Sequence, residues 1–169
     1  MEALEAIRKR RSVRQYTGEP IPREDLEQIV DAGRLAATGS NKQPWEFIVI
    51  TERTMIEQLK VAAAWMDKAG AIIAVVMDPA SRWWVEDGSA AVENMLLAST
   101  ALGYGSCWLE GYTLPREQEF KALLGIPEDK RLFTLLPMGV PAKWPEKEKK
   151  SLQEVMHWER YGVRNQKLE

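Results

Sequence analysis

Two stretches decide the fold: Ala71-Ile-Ile-Ala-Val-Val-Met77 and, beyond the loop Asp78–Asp87, Gly88-Ser-Ala-Ala-Val-Glu-Asn-Met-Leu-Leu-Ala-Ser-Thr-Ala-Leu102. The first is continuously apolar and short, which predicts a strand covered on both faces. The second is too long for a strand and has almost no polar side, which predicts a helix buried all round. A chain of 169 residues has little core to spare for such a helix. A second subunit is the simplest cover, so the helix predicts a homodimer with this element near its centre. Gly103 stands where its C-cap is expected.

Upstream, Leu4 and Ile7 beside Ala3 and Ala6 predict a short helix over residues 1–9. A second helix starts at Pro22, with Glu24 and Asp25 suiting its dipole and Leu26, Ile29, Val30 and Gly33 on one face. Thr38–Pro44 reads as a polar loop, Glu46–Ile50 as a strand, and Thr51 as the N-cap of a third helix. Downstream, Ser106–Leu109 reads as a short strand, Pro115–Leu124 as an amphipathic helix closed by Gly125, and Leu132–Met138 as a strand. The rest, from about 140 to 169, is a basic loop and a tail carrying Trp144, Trp158 and Tyr161. Helices and strands alternate within one domain spanning 1–169, and alternation predicts a parallel sheet with right-handed crossovers. A tail with large aromatics and few local contacts is expected to wrap the partner subunit.

Composition removes several function classes. The net charge of −2 supplies no global field for nucleic acid. The one cysteine, Cys107, excludes an intramolecular disulfide and a multi-cysteine metal site, and no metal centre is expected. The N-terminal Met-Glu-Ala-Leu-Glu carries acid where a signal peptide carries base, and the longest strongly apolar run is too short to span a bilayer. A cytoplasmic protein with no membrane partner is expected.

Three segments carry candidate chemistry. Arg8-Lys9-Arg10-Arg11-Ser12-Val13-Arg14 reads as a solvated helix end, as a nucleic-acid contact, or as a phosphate grip. Alternation favours the last: in an extended chain Arg10, Ser12 and Arg14 share a face, and two guanidiniums with a hydroxyl suit a phosphate dianion. Thr38-Gly-Ser-Asn-Lys-Gln43-Pro44-Trp45 offers Asn41 and Gln43, each with a donor and an acceptor. Gly103-Tyr-Gly-Ser-Cys-Trp-Leu-Glu-Gly111 fails as a dinucleotide fingerprint, because the third glycine and the following helix are missing. Its Leu109-Glu110-Gly111 turn follows a strand, where ligands of α/β sheets commonly sit. Paired Trp83 and Trp84 read either as packing or as a lid over substrate. His157 and Cys107 read as structural.

Together these segments resemble the nitroreductase-like family of FMN-dependent oxidoreductases. The resemblance runs from Arg10-Arg11-Ser12-Val13-Arg14 through Asn41-Lys42-Gln43-Pro44-Trp45, Asp87 with Ala90–Ala98, Gly103–Trp108 and Met138-Gly139-Val140-Pro141 to His157-Trp158-Glu159-Arg160-Tyr161-Gly162. It implies an α+β fold with a central mixed sheet flanked by helices, an intertwined homodimer, and one FMN in each interface cleft. Arg10, Arg11, Ser12 and Arg14 match the phosphate and ring-edge contacts; Thr38, Asn41 and Gln43 match the loop approaching the flavin. Leu109, Glu110 and Gly111 match the segment whose backbone faces flavin N5. Lys147 and Lys149 stand where members usually carry an arginine near the phosphate. A lysine supplies the charge without the fork. The implied activity is ping-pong hydride transfer from NADH or NADPH through flavin N5 to an electron-poor small molecule, a nitroaromatic or quinone. No side chain is required as a dedicated acid or base. A reductive dehalogenase of the same fold and a non-catalytic flavin-storage module are the alternatives.

Overall fold

The computed structural model describes residues 1–164; residues 165–169 of the expected tail lie outside the described residues. In chain order the elements are α1 (Ala3–Lys9), α2 (Arg23–Arg34), β1 (Trp45–Ile50), α3 (Arg53–Leu59), β2 (Ala71–Met77), α4 (Trp84–Ala101), β3 (Gly105–Ser106), α5 (Glu110–Thr113), α6 (Glu117–Leu124), β4 (Arg131–Gly139) and α7 (Leu152–Val155). Among the described residues no helix is long and apolar enough to cross a membrane.

β2 is the middle of the molecule. All seven of its residues are buried, as its sequence required. Ile72, Ala74 and Val76 face one core with α3 and α6; Ala71, Ile73, Val75 and Met77 face the other with α2 and α4. The result is three layers, helices on each side of a four-stranded sheet in the order β1-β2-β4-β3.

Each ladder between these strands is antiparallel, which corrects the parallel arrangement expected from alternation. That expectation needs one crossover helix per strand pair. Here α3, at about 10 Å, is shorter than the roughly 20 Å of β1, and three helices plus β3 intervene between β2 and β4. Parallel pairing enters at the isolated bridge Ser12–Ser106.

Register slips once, between Val75 and Val76, where Phe133 of β4 is the extra residue. The slip lets Leu132 and Leu135 serve one core while Phe133 turns to the other. There Phe133 meets Trp84 and Trp108 edge-on, with centroids 6.1 and 5.9 Å apart. Glu117, in the first turn of α6, ties that helix to the start of β4. Its carboxylate accepts two bonds from Arg131, at 2.7 and 2.8 Å, and one from the Leu132 N–H at 3.0 Å.

α4 is buried on one side only, through Ala91, Val92, Met95, Leu96, Ser99 and Thr100, while Ala90, Asn94, Leu97 and Ala98 stay partly exposed; within the chain it is not buried all round as expected. α2 lies along it, joined by Asn94 Nδ2 donating to Ala32 O at 3.0 Å. α1 lies across it through the Arg10–Glu93 ion pair. The helix also starts earlier than expected, at Trp84, so Trp84 belongs to an element and not to the loop. Smaller boundaries shift too. Glu52, not Thr51, caps α3, the helix expected over Pro115–Leu124 is divided into a 3₁₀ turn and α6, and the short α5 precedes it where a turn was expected.

Tyr104, just past α4, donates to Asp25 Oδ2 of α2 at 2.6 Å. Burial and this bond push the Tyr104 hydroxyl up to about 12. A raised folded value means the contribution is complete below the ordinary tyrosine range and lost as pH climbs through the folded one. Stability should therefore fall between about pH 10 and 12, and Tyr104→Phe should flatten part of that fall. Melting temperatures across the range check this; an unchanged slope in the variant would contradict it.

Candidate functional site

The basic cluster lies where α1 ends and the chain becomes an added edge to the sheet. Val13 N–H donates to Ser106 O at 3.0 Å, Thr17 N–H to Val140 O at 3.0 Å, and Ala142 N–H to Gln15 O at 2.9 Å. The single Tyr16 hydroxyl proton is shared between Val13 O at 2.8 Å and Pro137 O at 3.0 Å. Burial pushes this hydroxyl well above the ordinary tyrosine range. Val13 is fully buried beside Gly105, where an added Cβ would meet its side chain at 2.6 Å. With Val13 turned inward, its neighbours Ser12 and Arg14 must turn outward.

Above this edge lies a cleft of ≈ 730 Å³ lined by Arg10, Arg11, Ser12, Arg14, Gln15, Lys143 and Pro145–Lys149. Six of its residues are basic and two, Glu146 and Glu148, are acidic, so it favours an anion. The cations are held in different ways. Arg10 Nε pairs with Glu93 Oε1 of α4 at 3.2 Å. Arg14 sits over the Trp65 ring at 5.8 Å. Arg11 turns Nη1 back onto Arg8 O and Arg10 O at 2.8 and 2.7 Å, closing the end of α1. Its Nε is buried without a partner, as is the Ser106 hydroxyl. Cys107 lies beneath, buried; burial pushes its thiol up against the pull of Arg14, Ser12 and Arg10.

A second cleft, ≈ 580 Å³, lies elsewhere, between the loop after α2 and the link from β2 to α4. Gly39, Ser40, Lys42 and Gln43 line one side; Asp78, Arg82, Trp83 and Lys130 line the other. The loop is strained: Ser40, Asn41 and Gln43 have φ of 53°, 55° and 49°, a left-handed region costly for residues other than glycine. It is held at its start by Gly39 N–H donating to Asp87 Oδ1 at 2.9 Å, and across its base by Gln43 N–H donating to Thr38 Oγ1 at 3.3 Å. Asp87 is buried and its Oδ2 has no partner. Trp83 closes over the loop, so near that a Cβ on Gly39 would lie 2.4 Å from its ring.

The structure therefore brings Arg10, Arg11, Ser12, Arg14, Lys147 and Lys149 into one cleft. It keeps the segment containing Thr38, Asn41 and Gln43 apart from them, and Leu109, Glu110 and Gly111 line neither. Leu109 continues along β4 through its N–H to Leu135 O at 3.1 Å and caps α5. The tryptophan pair divides: Trp84 packs on Phe133, while Trp83 faces the second cleft. His157 is structural in its surroundings, its Nδ1 accepting from Gly162 N–H at 2.7 Å and its ring stacked on Tyr161.

Sequence reasoning gave no role to Tyr16, Glu93, Gly105 or Asp87. The Gly-x-Gly of residues 103–105 was a signal, but for close approach of Val13 and not for a nucleotide.

The sequence profile of the Nitroreductase family matches residues 7–71 and 55–140. The chain belongs to this family. A relative from Archaeoglobus fulgidus, provisionally named an NADH dehydrogenase/NAD(P)H nitroreductase, is 43% identical over 151 residues, covering 83% of this chain and 86% of its own. A solved structure of the same provisional name from Bacteroides thetaiotaomicron is 30% identical, with a TM-score of 0.87 over 94% of this chain and 98% of that one. A nitroreductase from Bacteroides fragilis with bound FMN is 29% identical, with a TM-score of 0.76 over 90% and 95%. The nitroreductase fold thus accounts for the antiparallel sheet and its two helical layers.

Gly105→Ala should destabilise the fold by about 1–3 kcal/mol, since Val13 has no room to yield. Tyr16→Phe should cost a similar amount, about 1–3 kcal/mol, by removing the buried hydroxyl that donates to Val13 O, while Pro137 O keeps its bond from Cys107 N–H at 3.1 Å. Urea unfolding measures both; wild-type stability in either variant would refute the locking of this edge.

Proposed function

We propose that this nitroreductase-family chain is an FMN-dependent NAD(P)H oxidoreductase that works as a homodimer. The observation that carries this reading is the six-cation cleft on a register-locked edge. Its residues fit a phosphate monoester. Arg10, Arg14, Lys143, Lys147 and Lys149 supply charge, Ser12 a hydroxyl, and Arg11 a buried Nε that lacks a partner. The FMN bound by the Bacteroides fragilis relative supports the choice of phosphate ligand.

When bound, FMN supplies hydride acceptance and donation at its N5; the chain supplies binding and electrostatics. The arginines fix the phosphate end, and Glu93 keeps Arg10 oriented. Arg14 or Lys42 would place positive charge where the ring gains negative charge. Thr38, Asn41 and Gln43 would offer donors and acceptors to a ring edge, and the Leu109–Gly111 backbone would offer a further contact to the ring. No side chain is needed to move a proton at a fixed station.

Because the two clefts are separate in one chain, a second copy is needed to bring loop 38–43 against the phosphate cleft of the first. Exposed apolar residues support that assembly. Leu4 and Ile7 on α1, Leu152 and Val155 on α7, and Tyr161 in the tail are left uncovered. The tail from about residue 140 would wrap the partner with this apolar side.

The purified protein should be yellow with FMN, bleach on anaerobic addition of NADH or NADPH, and sediment as a dimer at micromolar concentration. Arg14→Ala should weaken FMN binding about tenfold or more, the effect of removing one charge-assisted hydrogen bond. A colourless monomer, or FMN affinity unchanged by the substitution, would overturn the reading.

A further inference from the structure

The second cleft carries a cation, Arg82, that the cofactor reading leaves unused. Lys130 is answered within it by Asp78 Oδ2 at 3.3 Å and Glu46 Oε1 at 3.5 Å. Arg82 and Lys42 line the same cleft and form no ion pair among the described residues. Arg82 is exposed, and its guanidinium lies over the Trp83 ring at 4.6 Å. Trp83 is itself 44% exposed, one edge held by the backbone of Gly39. The two residues form a composite wall: an aromatic surface immobilised on one side and a guanidinium stacked on it. A guanidinium so stacked keeps its in-plane N–H groups for a carboxylate or similar anion, while the indole offers stacking area to a flat ring.

We propose that Arg82 and Trp83 make the electron-acceptor subsite of this enzyme selective for planar, electron-poor aromatic compounds that carry an anionic group. The indole stacks on the acceptor ring, and Arg82 binds the anion. This rests on the flavin reading above, in which the loop Thr38–Gln43 approaches the cofactor. Trp83 packs on that loop, so an acceptor against the wall lies beside the ring. The chemistry balances as a two-electron reduction: hydride from the nicotinamide donor passes by way of the cofactor to the nitro group, with a proton from water, and one oxygen leaves as water.

The test compares para-nitrobenzoate with para-nitrobenzamide, which share shape and reactive group and differ in charge. Holoenzyme reduced beforehand is mixed with each, and its reoxidation is followed by absorbance. Wild type should favour the benzoate by about tenfold or more in second-order rate, the scale of one charge-assisted hydrogen bond. Raised salt should shrink the preference. Arg82→Gln should reduce the rate with the benzoate by about tenfold more than the rate with the amide. Trp83→Ala should slow both acceptors together and leave their ratio. Yellow, reducible protein that oxidises equally with both compounds, or an Arg82→Gln enzyme that keeps the preference, overturns this inference and leaves the flavin reading standing. Protein that binds no FMN overturns both.

Discussion

Val13 is seated against Gly105, and the organisation of the basic cleft depends on that contact. A side chain on Gly105 would occupy the space of Val13, so the extended segment could not lie against β3 and β4 in this register. Strand geometry does the rest, because a residue fixed inward fixes its neighbours outward. The hydroxyl of Tyr16 ties Val13 O to Pro137 O across the same edge. The tail then crosses beside it through Ala142 N–H to Gln15 O. That crossing is what carries Lys143, Lys147 and Lys149 over the arginines.

A like-charged cluster of this size is held by several separate means. Glu93 answers Arg10, Trp65 supports Arg14, Trp144 lies beneath Lys9, and the helix-end carbonyls of Arg8 and Arg10 hold Arg11. None of these partners removes the cleft's net positive charge, since Glu93 is the only carboxylate among them. The arrangement is pre-organised for an anion, which lowers the ordering cost when one binds. The loop Thr38–Gln43 is organised differently. It holds three left-handed non-glycine residues against Asp87 and Trp83, a strained conformation of the kind that clusters at ligand sites.

Much of the architecture could be read from residue pattern. β2 matched its sequence boundaries because a seven-residue apolar run has one way to satisfy both sheet faces. Gly125, in the left-handed conformation at φ 68°, closes α6 where it was expected. The basic cleft was legible because charge, hydroxyl and alternation occur within seven adjacent residues. Glu93, Asp87 and Gly105 were not legible as site residues, because each acts on a segment distant in sequence: Arg10, Gly39 and Val13 respectively.

The sequence by itself determined the main helices and strands, which faces are apolar, and that a basic cluster follows the first helix. These are local properties, set by periodicity and side-chain chemistry. Tertiary structure alone decided the direction of the strands, the cover over α4, the division of Trp83 from Trp84, and the placement of the two candidate segments in separate clefts. Each of those depends on how distant segments pack, and packing is settled by shape and space rather than by any pattern within one segment.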